Sequence, residues 1–154
     1  KEETPNLAGQ KPAYLLQQIE KFVDGRRKDF VMQTLAQEFS MEDKVNLAVY
    51  YASQDVTPEP VDPERAARGK GIYQSICKTC HGPDGSGQAG FARLAGQRTD
   101  YVEKTLKRFR ANARQGKKEG KAVRSDERME RVTRGLTDRQ IGSLAAYIAQ
   151  LGRG

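Results

Sequence analysis

The sequence predicts an all-α protein, and three observations carry that prediction. No stretch of the 154 residues alternates apolar and polar side chains with the period of two that a half-buried strand requires. Apolar residues recur instead at helical spacing, as in Tyr101, Val102, Leu106 and Phe109, and again in Ile141, Leu144, Ala145, Ile148 and Leu151. The pattern also occurs twice. Leu7-Ala8-Gly9-Gln10 returns as Leu94-Ala95-Gly96-Gln97, and Tyr14 and Phe22 are matched by Tyr101 and Phe109 at the same offset of 87 residues. Met32, Ser40 and the block 47–52 are matched by Met129, Thr137 and the block 144–149 at an offset of 97. The chain is a duplication, with an insertion in the second copy inside the polar, basic run Asn112 to Ser125.

In the first copy, Lys11 to about Asp24 and Met41 to about Ser53 read as helices. Residues 54–61 read as an extended linker, part of a stretch with Pro58, Pro60 and Pro63 and little apolar content. Asp62 followed by Pro63 is an N-cap with proline at the first helical position. The helix it opens runs to about Ile76 and delivers the chain to Cys77. Pro83 with Gly82, Gly85, Gly87 and Gly90 makes the segment after His81 a loop. Thr99 can cap the next helix, and the last runs from about Thr137 to Leu151.

Cys77-Lys78-Thr79-Cys80-His81 dictates a chemistry. Two thiols separated by two residues, with an imidazole directly after the second, form the c-type haem attachment site. The cysteines add to the two vinyl groups on one edge of the porphyrin, and the adjoining His is held under the iron as proximal ligand. Alternatives fit poorly. A structural zinc site needs four ligands, and the chain has two Cys and one His. A thioredoxin-like dithiol would want a βαβ context, and a plain disulfide leaves the single His unexplained.

Composition agrees. Only 36% of residues are hydrophobic and Trp is absent, so a large apolar core of the usual kind is not expected, whereas a covalently held haem supplies an apolar disc to pack around. Both cysteines are consumed by the haem, which leaves no disulfide framework. No segment is long and apolar enough to span a membrane, and no signal peptide is visible; covalent haem attachment happens outside the bacterial cytoplasm, so a mature exported, periplasmic chain is expected. The formal charge of +7, which two haem propionates would lower, suits an acidic partner surface or anionic headgroups. Nucleic acid is not expected, because no binding motif accompanies the basic residues.

In this arrangement the chain resembles a class I c-type cytochrome, specifically the second domain and part of the first of a tandem dihaem cytochrome of the c-four type. Gly69 and Tyr73 lie eight and four residues before Cys77, followed in order by the haem site, the repeated Leu-Ala-Gly-Gln block, Met129 and a terminal helix. The resemblance implies one covalent haem c in a cytochrome fold over 62–154, preceded over 1–53 by a partial copy of that fold. Cys77 lies seventeen residues before Leu94, and the matching position of the first copy would fall before residue 1, so its haem-attachment segment is absent from this sequence. Gly69 and Tyr73 would cross a terminal helix at Leu144 and Tyr147. Met129 would be the distal ligand, a thioether that raises the reduction potential. The other reading of Met129 is a gap-filling core residue, which its charged surroundings from Ser125 to Arg131 do not favour. Met32 matches Met129; it is an orphaned ligand, a core residue, or a ligand to a haem on a missing or separate piece. The family usually has Pro two residues before the Leu of the repeated block, its carbonyl accepting the proximal imidazole N–H. Pro5 keeps it in the first copy, whereas the second has Ala92, whose carbonyl can still serve.

Tyr101 and Phe109 read equally as haem contacts or as core. Arg110, Arg114, Lys117, Lys118, Lys121 and Arg124 read as a solvated basic loop or as a docking patch for an acidic redox partner. The leading functional expectation is a periplasmic electron carrier cycling Fe(III)/Fe(II) between His81 and Met129, not an enzyme. The alternative is the cytochrome subunit of a dehydrogenase or reductase complex, and a membrane oxidase or a catalytic subunit is a candidate partner.

Overall fold

The computed structural model describes residues 4–88, 90–115 and 124–152. In chain order it contains α1 (Pro12–Val23), α2 (Phe30–Glu38), α3 (Met41–Ala52), α4 (Pro63–Ile72), a π-helical turn over Tyr73–Cys77, α5 (Lys78–His81), α6 (Thr99–Gln115), α7 (Glu127–Thr133) and α8 (Asp138–Gln150). The all-α expectation holds. The described residues add one isolated antiparallel bridge, between Arg27 and Arg124.

The helix starts follow local chemistry. The Asp62 carboxylate accepts from the N–H groups of Glu64 and Arg65, with Pro63 at the first position. Ser40 with Asp43 and Thr137 with Gln140 form reciprocal capping boxes at equivalent places in the two copies. Two elements differ from expectation. The helix from Pro63 becomes a π turn after Ile72, where the Lys78 N–H reaches back to the Tyr73 carbonyl, a widened turn of the kind that concentrates at functional sites. Thr99 is not a cap but the first residue of α6, and its N–H is bound by Glu59 Oε1 of the linker at 2.6 Å. The short helices α2 and α7 show no apolar stripe in the sequence. Their signal is a cap three residues before each matched methionine, since Asp29 accepts from Met32 N–H and Asp126 from Met129 N–H.

The main core is built by the second copy. Tyr73, Val102, Leu106, Leu136, Ile141, Leu144, Ala145, Tyr147 and Ile148 form one buried cluster between α4, α6 and α8. Helix α4 crosses α8 at Gly69, where a Cβ would overlap the Ser143 carbonyl oxygen and lie 2.9 Å from Tyr147 Cβ. Tyr73 then packs against Tyr147, with ring centroids 5.3 Å apart and planes tilted by 55°. Arg110 of α6 bonds the Leu136 carbonyl at 2.8 Å and Asp138 at 2.5 Å, pinning the start of α8.

The two copies meet around a pseudo-twofold relation. Gln97 accepts from Asn6 N–H at 2.7 Å and donates to the Asn6 carbonyl at 3.0 Å. Gln10 does the same to Arg93, accepting at 2.6 Å and donating at 2.9 Å. Both glutamines are buried. Val56 of the linker sits between the two copies' glycines. A Cβ on Gly9 would lie 2.8 Å from Val56 Cγ2, and one on Gly96 would overlap Val56 Cγ1. Both glycines have positive φ, so conformation and space demand glycine together.

In the first copy, Leu15, Phe22, Ala36 and Ala48 are buried, and the buried Lys44 pairs with Glu20 at 2.9 Å. The outer side of α3 is open. Val45, Val49 and Tyr50 are 41%, 55% and 57% exposed, whereas their equivalents 97 residues on (Gly142, Ala146 and Tyr147) are all buried in α8.

Gly69→Ala should lower stability by about 1–3 kcal/mol despite the better helix propensity of alanine, because a backbone carbonyl cannot step aside; urea unfolding checks this. Asp138 offers a pH test. Its bond to Arg110 holds the carboxyl below its usual range, so its contribution is complete above the ordinary carboxylate range and is lost as pH falls through the lowered value. Asp138→Asn should therefore be less stable than the parent at neutral pH and converge with it in acid, as read by urea titrations across that range.

Candidate haem site

The π turn and α5 carry Cys77, Cys80 and His81 in just over one helical turn. Tyr73, fully buried, donates its hydroxyl to the Gly82 carbonyl at 2.7 Å, which ties the residue after His81 to the α4–α8 crossing. Burial raises the Tyr73 pKa and keeps it a donor. His81 is buried, with Nδ1 2.9 Å from the Ala92 carbonyl oxygen. A carbonyl only accepts, so the proton is on Nδ1 and the Nε2 lone pair is free for a metal. Burial also lowers the His81 pKa and so favours the neutral, ligating form. The imidazole–carbonyl bond expected at Ala92 is therefore made without proline.

What places the Ala92 carbonyl is the glycine loop. Gly87 has φ +77°, and a Cβ there would come within 2.8 Å of the Phe91 oxygen and the Ala92 carbonyl carbon, and 2.7 Å of the Arg93 nitrogen. The Gly87 N–H bonds the His81 carbonyl at 2.9 Å, and the Gly85 carbonyl takes the N–H groups of Leu94 and Ala95 at 2.8 and 3.0 Å. Gly87 was hidden among four loop glycines in the sequence; no spacing singles it out.

Cys77 and Cys80 are half-buried free thiols. Burial, with Cys80 close by, pushes the Cys77 thiol up to about 12. Met129 is half-buried near the start of α7 and packs, with Ile72, Ile76, Cys77, Leu94 and Leu151, against the core cluster. It lies inside a helix, in the first turn of α7. Its N–H is held by Asp126 at 3.1 Å and its carbonyl by Thr133 Oγ1 at 2.7 Å. Met32 occupies the equivalent place in α2, half-buried, in the other copy.

These residues fit a haem. They offer two thiols on adjacent turns, an imidazole with a free Nε2, a thioether, and apolar side chains whose outer surfaces are uncovered. Among the described residues no cluster of three or more His, Cys, Asp or Glu could hold a bare metal ion.

The basic run divides. Arg110 and Arg114 bond backbone carbonyls at the start of α8, and Arg124 lies between the copies, so these three are engaged rather than presented as a docking patch. Lys117, Lys118 and Lys121 lie outside the described residues. Phe109 is core, and the Tyr101 hydroxyl accepts from Arg124 and Arg27 at the interface.

A helical fold closed by the α4–α8 crossing, with a Cys-x-x-Cys-His turn and its imidazole anchored on a backbone carbonyl, defines a class I c-type cytochrome. Residues 66–152 match the family model described as Cytochrome c. The chain is 35% identical to cytochrome c4 of Thiocapsa roseopersicina over 97% of its own length and 79% of that protein. It is 30% identical to a thiosulfate dehydrogenase electron acceptor of Thiomonas intermedia over 94% of its own length and 69% of that protein. Reduced cytochrome c4 from Pseudomonas stutzeri has the same fold, with a TM-score of 0.79, 31% identity, and 96% of this chain and 84% of that one covered. The chain belongs to the cytochrome c family, within its cytochrome c4 group, and is an electron-transfer cytochrome that uses haem c.

Gly87→Ala should cost at least about 1–3 kcal/mol, because it combines a positive-φ penalty with backbone overlap at the Ala92 carbonyl. Thermal unfolding of the haem-loaded protein measures it.

Proposed function

We propose that Cys77 and Cys80 would hold the haem through thioether bonds, with His81 Nε2 and Met129 Sδ as the ligands to its iron, in a periplasmic electron carrier that is not itself an enzyme. The observation that carries this reading is the His81 imidazole, fixed by Ala92 with Nε2 free, directly beside the two thiols. Bound there, haem c supplies a reversible one-electron couple at iron. The chain's own part is to keep the imidazole neutral and oriented, to surround the ring with apolar side chains, and to offer a thioether to the iron. With His81 and Met129 both bound, the iron would have no position left for substrate.

Residues 62–154 make the haem-bearing unit. Residues 1–53 make a cytochrome-like unit without a haem-attachment segment in this sequence, and 54–61 join the two. In support, the open face of α3 corresponds to the face of α8 that α4 covers. Met32 is then the matching ligand of the first unit, for a haem that this sequence alone does not attach. Among the described residues no helix is long and apolar enough to cross a membrane. The partners are redox proteins, and a net charge of +7 favours acidic docking surfaces. A second reading, an electron-accepting subunit of a dehydrogenase, is favoured by the Thiomonas intermedia relative; tight co-purification with a catalytic chain would select it.

Intact mass with a haemochrome assay should show one covalent haem, lost in the Cys77→Ala, Cys80→Ala double variant. Met129→Ala should lose the near-infrared methionine-to-iron band of the ferric protein, lower the potential and admit carbon monoxide. Persistence of the band would assign the sixth ligand elsewhere.

A further inference from the structure

The carbonyl that holds His81 belongs to a peptide unit whose other end is bound by the first copy. The Ala92 carbonyl oxygen lies 2.9 Å from His81 Nδ1, and the N–H of Arg93 completes the same planar unit. That N–H donates to Gln10 Oε1 at 2.6 Å, and Gln10 Nε2 donates back to the Arg93 carbonyl at 2.9 Å. Gln10 is 6% exposed, and its backbone is fixed. Its N–H bonds the Leu7 carbonyl at 3.2 Å, and the Gly9 N–H bonds the Tyr51 carbonyl near the end of α3 at 2.9 Å. The donors all point one way along this chain, from the imidazole N–H to the Ala92 carbonyl and from the Arg93 N–H to Gln10.

Because a peptide unit is planar, a bond that fixes the direction of its N–H also fixes the direction of its C=O. Ala92 has no ring to set its φ, as proline would. The plane of this unit is left to the close packing of Gly87 and to the grip of Gln10. Hydrogen bonds in series also polarise one another, by roughly 10–30% per bond. When Gln10 accepts from the Arg93 N–H, amide electron density moves toward the Ala92 oxygen, which becomes a stronger acceptor for His81. A stronger acceptor at Nδ1 makes the imidazole a better donor at Nε2, and that favours ferric over ferrous iron.

The mirror-related glutamine shows what is particular to Gln10. Gln97 accepts from Asn6 N–H at 2.7 Å and donates to the Asn6 carbonyl at 3.0 Å, so it grips the Pro5–Asn6 peptide as Gln10 grips Ala92–Arg93. Both close the same interface. His81 is the single His of the sequence, so only the Gln10 bonds end on a peptide that holds an imidazole. We infer that Gln10 is a positioning residue for His81: it sets the direction and acceptor strength of the Ala92 carbonyl, and through it the first copy lowers the reduction potential at the second copy's haem site. This rests on the haem-site reading above.

The test compares the haem-loaded parent with Gln10→Met, Gln10→Glu and Gln97→Met by potentiometry and by proton NMR of the His81 Nδ1–H in the ferrous protein. Gln10→Met keeps the side-chain length and loses both bonds to Arg93. It should move the Nδ1 proton upfield, speed its exchange with solvent and raise the potential. Gln10→Glu keeps an acceptor for the Arg93 N–H, and at mildly alkaline pH the ionised carboxylate is a stronger one, so the Nδ1 proton should move downfield of the parent. Gln97→Met breaks the mirror bonds at the same interface and should leave both the Nδ1 proton and the potential at the parent's values. A Gln10→Met protein with the parent's potential and Nδ1 resonance would reduce Gln10 to an interdomain clamp and overturn the inference. Equal movement in Gln97→Met would overturn it too, because loosening of the interface would then be the cause. If Gln10→Met does not mature, Gln10→Glu decides, and an Nδ1 proton that stays put or moves upfield overturns the inference. A parent without covalent haem would sink the haem-site reading itself, before any variant is compared.

Discussion

Everything that positions the haem chemistry depends on one close approach: the Ser143 carbonyl oxygen occupies the space a Cβ of residue 69 would need. That contact sets the separation of α4 and α8, and because one side of it is backbone inside a helix it cannot relax by a rotamer change. With the helices at that distance Tyr73 reaches Tyr147, and its hydroxyl reaches the Gly82 carbonyl. The segment between these two fixed points is the π turn and α5, which carries both thiols and the imidazole. The other restraint on the imidazole comes from the glycine loop, through Gly87 and the Ala92 carbonyl. His81 is thus held from two directions by groups that have no freedom of their own, which suits the role of iron ligand proposed for it.

The second constraint is the duplication itself. Each copy contributes the same three devices to the interface: a glutamine that binds the other copy's backbone, a glycine that makes room for Val56, and an arginine stacked on a phenylalanine. Contacts of this reciprocal kind are those of an isologous dimer, here made within one chain. The linker is part of this structure, because Val56 fills the space between the two glycines and Glu59 binds the first N–H of α6. The repeated Leu-Ala-Gly-Gln block therefore serves the interface as much as the fold of either copy.

That duality shows what could be read from the sequence. The Cys-x-x-Cys-His turn, the Asp62-Pro63 start and the amphipathic helices of both copies were legible because each is a local signal: ligand spacing, a cap, or an apolar stripe. The repeat was legible as identity between distant segments, but not as contact between them, since nothing in Gln10 or Gln97 announces which backbone it will bind. The helices α2 and α7 escaped because seven to nine residues are too few to show a stripe at helical spacing, and their aspartate caps are common in loops too. Three arginines of the basic run show the same limit. A guanidinium in a polar stretch gives no sign of the acceptor it will bind, whereas Arg110, Arg114 and Arg124 each donate to carbonyls or phenols.

The pseudo-symmetry also separates two kinds of exposed apolar surface in the first copy. Val45, Val49 and Tyr50 have buried equivalents in Gly142, Ala146 and Tyr147, so their exposure follows from the fold: it marks the side on which α4 packs in the second copy. Phe30 and Val31, 87% and 60% exposed, have as equivalents Glu127 and Arg128, which are solvent-facing in a copy where α4 is in place. A crossing helix would therefore cover the α3 face and leave the α2 residues where they are. The α2 surface beside Met32 is apolar by its own sequence rather than by symmetry. The two copies consequently present different chemistry at the same structural position, charged in front of Met129 and hydrophobic in front of Met32. A duplicated fold can in this way offer two unlike faces without any change in its interface or in the helix pairs behind them.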